Sequence, residues 1–378
     1  MNPLRILYDF EAFSDQDRGG ITRYVLELSK RVAQEEDVLI YAGIHRSLAL
    51  REAKPAFAHG WYLPPWRYTG ELRRHLNAWL TRRSIARFQP DIVHRTYYRH
   101  AAPYRGKHIE IVTLYDLTYF RFPDLFPGGE IVQARMRLAV RRAAHAICIS
   151  HNTRADAIQW LSVDATRSSV IPLGVNPPYS VTASPSIPSP YILFLGARDG
   201  YKNFDLVLRA FAESPRLNGL SLIAFGGGPF HKAQLEMIAN LGLIDRVHWR
   251  QGGDRALAAA YAHAACLVYP SLYEGFGLPL LEAMSYGCPV VCSNTSSLPE
   301  IALNAAEYFD PKTPDTLTNA LLRILVNPSR RKQLIEAGRS HSAAFTWDQC
   351  AEQTLTVYRQ IAGRTAHARD NASHSTSE

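Results

Sequence analysis

The run YPSLYEGFGLPLLEAMSYGCPVV, residues 269–291, holds the end of a strand, a glycine turn, a helix and a second strand in one stretch. Residues 267–270 and 289–293 are short apolar runs of strand length, and residues 278–285 between them read as a helix. Strand, helix and strand in that order make the parallel βαβ unit. The turn also carries chemistry. Gly275 and Gly277 allow positive φ and close approach of the backbone to a ligand, and the free N–H groups at the start of the helix favour an anion. Glu274 and Glu282 flank that anion site. Carboxylates are poor phosphate ligands, so both are expected to accept hydrogen bonds from hydroxyls, a ribose at one end and a hexose at the other. The combination suits a sugar attached to a diphosphate.

The same alternation extends outward in both directions. In the first half, residues 5–8, 38–41, 91–94, 109–114, 146–150 and 169–172 read as strands, and residues 21–35, 73–88 and 130–144 as helices. Residues 172–190, PLGVNPPYSVTASPSIPSP, lack apolar periodicity and read as a linker. A second series follows, with strands at 191–195, 220–225, 247–250, 267–270 and 289–293. Two doubly wound α/β domains are therefore predicted, at 1–173 and 190–345. Residues 346–362 are expected to be a helix crossing back to the first domain, and residues 363–378 a disordered tail. In such sheets ligands bind beyond the carboxyl ends of the strands, which predicts a cleft site between facing domains.

Composition narrows the class. The chain has 378 residues, 47% hydrophobic and 20% charged, ample for two cores. It offers no window of roughly 20 apolar residues for a membrane span. Residues 1–9 lead into a strand-like run instead of a secretory signal. Five cysteines, Cys148, Cys266, Cys288, Cys292 and Cys350, sit mostly in apolar segments without C-x-x-C spacing. They read as buried thiols of a reduced, cytoplasmic protein. A formal charge of +8 favours anionic partners. No nucleic-acid module is recognisable, so nucleic acid is not expected among them.

The order and spacing of several further motifs identify the chain as a member of a known group. FLGARDGYKNFDLVLRAF, GGGPF, YPSLYEGFGLPLLEAMSYGCPVV and SLPEI in the second half, with RGGITRY, TLYDLTYFRFP, AHAICISHNTRADAI and VIPLGV in the first, resemble retaining glycosyltransferases of family 4. The likeness runs from Arg5 to about Ile361. It implies the GT-B architecture of two facing Rossmann-like domains. It also makes Glu274 the partner of the donor sugar and Glu282 that of the ribose, with the backbone N–H groups of Phe276, Gly277 and Leu278 at the diphosphate and Gly275 among the donor-binding residues. Arg198 and Lys202 would reach the phosphates and stabilise the charge that builds on the leaving group. Gly226, in the GGGP segment, would border the nucleotide pocket, with the base near Arg250. That segment lacks the G-x-G-x-x-G spacing of a nicotinamide enzyme.

The first domain is less explicit. Gly19 and Gly20 resemble the family's glycine loop on the acceptor side, and a plain turn is the other reading. Asp116 lies where the family often carries a His-Asp pair, and Tyr115 takes the place of the histidine. Both are expected on the acceptor side, with Asp116 alternatively capping the turn after its strand. Asp15-Gln16-Asp17 is a D-x-D triplet in a polar segment, read as a solvated loop, and the expected activity is metal-independent with no cofactor. Residues 61–87 mix Trp61, Trp66 and Trp79 with six arginines. They read either as a helix with an apolar face in the core or as a basic aromatic surface on an anionic membrane, at the inner face of the plasma membrane.

The resemblance implies transfer of a hexose, with mannose or rhamnose favoured, from a nucleoside diphosphate sugar to a saccharide or lipid-linked acceptor. Retention of anomeric configuration and a place in cell-surface polysaccharide or lipopolysaccharide assembly come with it. GDP-sugars are the favoured donors and UDP-sugars the rivals. The alternatives are a sugar-nucleotide epimerase of the same architecture and a catalytically silent nucleotide-sugar-binding protein.

Overall fold

The computed structural model describes residues 2–15, 17, 19–64, 70–98, 104, 106–181, 188 and 190–375. The chain divides into two compact units, residues 1–174 with 347–378, and residues 175–346.

The first unit carries a seven-stranded sheet among the described residues, in the order β3-β2-β1-β4-β5-β6-β7. Its strands are β1 (Arg5–Tyr8), β2 (Asp37–His45), β3 (Ala58–Tyr62), β4 (Ile92–Arg95), β5 (Ile109–Leu114), β6 (His145–Cys148) and β7 (Ser168–Val170). Every pairing is parallel. Strands buried on both faces need apolar residues throughout, which explains the runs read from the sequence. Ile6, Leu7 and Tyr8 of β1 are wholly buried. The strand β3 was not legible. Its sequence AHGWY alternates little, and it is an edge strand with its middle exposed.

The helix Trp347–Ser375 packs on the helix Gly20–Val32 and belongs to the first unit. Its buried Tyr358 bonds to Tyr8 at 3.1 Å and to His94 Nδ1. The polar composition of residues 363–378 predicts a disordered tail, and the backbone is helical to Ser375. Residues such as Ala366, Ala368 and Ala372 favour helix by propensity without an apolar stripe.

Among the described residues the second unit has a six-stranded parallel sheet in the order β10-β9-β8-β11-β12-β13. Its strands are β8 (Tyr191–Leu195), β9 (Ser221–Phe225), β10 (Val247–Arg250), β11 (Cys266–Tyr269), β12 (Val290–Ser293) and β13 (Ala306–Phe309). The helix Phe204–Glu213 covers one face, where Phe204 meets Phe194 edge to face at 4.8 Å. The chain builds outward from β8 to β10, then crosses to β11 on the other side of β8. The switch point of the sheet lies between the carboxyl ends of β8 and β11, the place where such sheets bind ligands. All five cysteines are free and buried.

Candidate functional site at the switch point of the second sheet

The turn after β11 is fixed from below. Gly277 precedes the helix Leu278–Ser285 with φ +104°, a conformation open to glycine and costly for other residues. Phe276 is buried and meets Phe345 edge to face. The segment after β12 supplies the remaining supports. The Ser296 hydroxyl accepts the Glu274 amide at 2.9 Å, and the Ser297 hydroxyl lies 2.9 Å from the carbonyl oxygens of both Glu274 and Phe276. The Glu274 and Phe276 carbonyls are thereby tied to the segment after β12, and the turn leads into the amide end of the helix Leu278–Ser285.

The loop after β8 meets that turn. Asn203 takes a left-handed conformation, φ +58°, and its side-chain amide donates to the Pro270 and Pro311 carbonyls at 3.2 and 2.8 Å. The Leu272 amide donates to the Tyr201 carbonyl at 2.8 Å. These bonds bring Lys202 Nζ to 2.6 Å from Glu274 Oε1, with the two side chains 18% and 13% exposed. The same carboxylate oxygen accepts from Ser271 Oγ at 2.6 Å, and the Tyr269 phenol neighbours the Glu274 carboxylate. Burial works against the Lys202 ammonium, but Glu274 and the neighbouring tyrosines outweigh it and raise its pKa well above the usual value. Lys202 is therefore a fixed cation at the switch point.

Arg198 differs from the expectation. It is 4% exposed and turned into the segment Gly226–Pro229, donating to the carbonyls of Gly226, Gly228 and Pro229 at 2.9, 2.5 and 2.9 Å. Its guanidinium also covers the Phe230 ring. Three successive glycines with positive φ aim their carbonyls at it, and a planar five-donor group suits such a cluster better than a lysine does. Gly227 is packed so that a Cβ would fall 2.2 Å from the Gly196 carbonyl oxygen. Arg250 ends β10, two strands from β8, and donates to the Trp249 carbonyl.

Glu282 stands one turn into the helix and accepts from the Tyr261 hydroxyl at 3.1 Å. The Tyr261 ring stacks on Tyr286. Burial, with Glu282 next to it, pushes the Tyr261 phenol well above its ordinary pKa. The structure thus brings Lys202, Glu274, Phe276, Gly277 and Leu278 together, and sets Arg198 with Gly226 and Glu282 with Tyr261 in separate bonded groups. Asn203, Ser271, Ser296, Ser297 and Tyr261 were missed in the sequence. The polar runs YKN and SNTSS after strands were the available signal.

In the first unit, Gly19 is extended and Gly20 opens the helix Gly20–Val32 with clear space where a Cβ would stand. Tyr115 is buried, its hydroxyl donating to the Thr96 carbonyl at 3.1 Å. Tyr24, Tyr97 and Tyr98 surround it, so the phenol serves the core. Asp116 is half-buried and accepts the Thr118 amide at 3.0 Å, the turn-capping arrangement.

The switch point of this sheet, between β1 and β4, holds a second buried network. Asp9 accepts from Thr96 Oγ1 and Tyr104 at 2.6 and 3.2 Å, and Arg95 binds Glu110 at 2.7 Å. Burial drives the Glu110 carboxyl up, yet His108 and Arg95 overcome it and hold it at about 2. Burial raises the Asp9 carboxyl despite Arg95. Of the D-x-D triplet, Asp17 pairs with Arg46 at 2.6 Å and Gln16 lies outside the described residues. Among the described residues no group of three or more His, Cys, Asp or Glu is placed to hold a metal.

Two family models match the chain: glycosyl transferases group 1 over residues 184–341 and glycosyltransferase family 4 over residues 18–178. O-antigen chain mannosyltransferase B of Escherichia coli is 30% identical over 270 residues, covering 66% of this chain and 70% of that protein. MMP alpha-(1->4)-mannosyltransferase of Mycolicibacterium hassiacum is 32% identical over 271 residues, 69% of this chain and 64% of its own length. Among solved structures, Anabaena HepE in complex with UDP-glucose superposes with a TM-score of 0.73 at 16% identity, covering 94% of this chain and 100% of that one. This last likeness establishes the fold, the GT-B architecture of two Rossmann-like domains.

Proposed function

We infer the activity from one premise and one observation: the chain belongs to glycosyltransferase family 4, and its second unit closes a Lys202–Glu274 pair at the switch point of the sheet. The reaction we propose moves a hexose, with mannose favoured, from a nucleoside diphosphate sugar to a saccharide or lipid-linked glycan, in surface polysaccharide assembly. Relatives from Escherichia coli and Salmonella typhimurium that bear the name O-antigen chain mannosyltransferase support the choice of sugar and setting. A GDP-sugar is our first choice of donor, with a UDP-sugar as its rival.

The charges at the turn suit this chemistry. As the bond from the sugar C1 to the phosphate oxygen breaks, negative charge grows on the departing diphosphate. Lys202 and the amide end of the helix Leu278–Ser285 supply fixed positive potential for it. Glu274 would exchange part of its hold on Lys202 for the hydroxyls of the hexose, and Glu282 would take the ribose. Arg198 shapes the Gly226–Pro229 segment on the nucleotide side. The glycine loop at Gly19 and Gly20, with Asp116, is our candidate for the acceptor side.

Glu274 is engaged by Lys202 and Ser271, which favours positioning over nucleophilic attack. We therefore favour front-face substitution with retention. The acceptor oxygen bonds to C1, the C1–phosphate bond breaks on the same face, and the acceptor proton passes to the departing phosphate oxygen.

Incubation of the full chain with GDP-mannose, UDP-glucose and a lipid-linked glycan tests this. Mannose transferred with its α configuration kept is the expected product. Epimerised donor, or binding without turnover, would overturn the reading.

A further inference from the structure

Three consecutive hydroxyls follow β12, at Thr295, Ser296 and Ser297, and each of them is bonded to the turn that carries Glu274. Thr295 Oγ1 lies 3.3 Å from the Ser271 carbonyl oxygen and 3.2 Å from that of Leu272. Ser296 Oγ accepts from the Glu274 amide at 2.9 Å, and Ser297 Oγ lies 2.9 Å from the carbonyl oxygens of Glu274 and Phe276. The two serines thus hold both backbone groups of Glu274. The row is fixed on its own side as well, by the Leu298 amide on the Thr295 carbonyl at 3.3 Å and the Ile301 amide on the Ser297 carbonyl at 2.9 Å. Ser297 and Leu298 are wholly buried.

Ser296 holds its place at a cost. Its φ is +52°, in the left-handed region that strains a residue with a Cβ. Glycine would take that conformation readily, but it has no hydroxyl to receive the Glu274 amide.

The bonds of Ser297 set a direction. A peptide is planar and trans, so its C=O and the N–H that follows point to opposite sides. With the Phe276 carbonyl turned to Ser297, the Gly277 N–H points away from that hydroxyl. The Glu274–Gly275 peptide turns its carbonyl to the same atom. One buried oxygen therefore orients two peptide planes of the turn, just before the helix Leu278–Ser285 begins.

We propose that Ser297, with Ser296 beside it, is a positioning residue for the diphosphate of the sugar donor. It acts from behind the turn, holding the Phe276–Gly277 peptide so that the Gly277 N–H faces the anion, and neither hydroxyl touches the ligand. The inference rests on the reading of this turn as the diphosphate site.

Calorimetric binding of GDP and guanosine to the full chain, with UDP and uridine in parallel, tests it together with the kinetics of sugar transfer. Wild type binds the diphosphate of its preferred base more tightly than the bare nucleoside. Ser297→Ala lowers affinity for that diphosphate about tenfold, the effect of one hydrogen bond to a charged group, and leaves affinity for the nucleoside unchanged. In transfer its kcat falls about 100-fold, because a misaimed N–H also fails the charge that grows on the leaving group. Ser296→Gly suits the left-handed backbone and removes only the hydroxyl, so it lowers diphosphate affinity with the same selectivity and decides the matter if Ser297→Ala does not fold. Folded variants that bind GDP or UDP and turn over like wild type, or that lose nucleoside and diphosphate affinity equally, would overturn the inference and leave the diphosphate site standing. Wild type that binds the nucleoside as tightly as the diphosphate would overturn the reading of the turn, and the inference with it.

Discussion

Replacing Lys202 by Met keeps most of the side-chain volume and removes the cation from Glu274. At the observed 2.6 Å separation and an effective dielectric constant of about 20, the attraction lost is about 6 kcal/mol gross. Desolvation of both groups offsets much of it. Breaking a buried pair from one side costs about 3–5 kcal/mol, and the remaining exposure of 18% and 13% with the Ser271 bond lowers our expectation to about 2–3 kcal/mol. Adding Glu274→Gln removes the stranded charge, so the double variant should return to within about 1 kcal/mol of wild type.

Turnover behaves differently. Each single variant should lose about 100-fold or more in kcat, and the double variant should recover none of it, because a neutral pair restores the fold without restoring the cation. Urea titration of the four proteins closes the cycle for stability, and sugar transfer closes it for rate. A coupling below about 0.5 kcal/mol, the limit of ordinary additivity, or a Lys202→Met enzyme with near-normal kcat, would refute the reasoning.

Three further outcomes are expected. Gly277→Ala places a Cβ at φ +104° and 2.8 Å from Leu298 Cδ2, so it should cost about 1–3 kcal/mol in thermal unfolding and weaken nucleotide binding. His94 is buried between Tyr358 and Thr113, and burial lowers its pKa to about 3. The unfolded chain takes up that proton near pH 6.5 and the folded chain does not, so stability falls with pH below that point, by about 2 kcal/mol between pH 6.5 and 5. His94→Asn should flatten this slope, and an unchanged slope would assign it elsewhere. Transfer in EDTA should continue at the untreated rate, and a loss that Mg²⁺ or Mn²⁺ restores would contradict metal-independent activity.

Periodicity shows the fold wherever a strand is buried on both faces. The runs at 5–8, 109–114 and 191–195 coincide with β1, β5 and β8, and the run at 247–250 coincides with the edge strand β10. It fails at two other edge strands. The strand β3 exposes Trp61, and β13 carries Glu307 inside its run, satisfied by Arg323 and Arg330 from later helices. The candidate site divides in the same way. The sequence singles out Glu274, Gly277 and Lys202 because a turn and a strand end restrict residue choice locally, and the structure brings the three together. The direction of Arg198 depends on three carbonyls from about thirty residues away, and the burial of Tyr115 on tyrosines from other elements. Neither is encoded in local spacing.

Hydrogen exchange with and without GDP tests the central claim most directly. Saturating nucleotide should slow exchange in residues 196–203, 226–229 and 274–285, where the loops after β8 and β9 and the glycine turn meet the donor. Residues 37–62 of the first sheet's edge should be unaffected. Protection confined to the first unit, or none in the glycine turn while GDP is bound, would contradict the account.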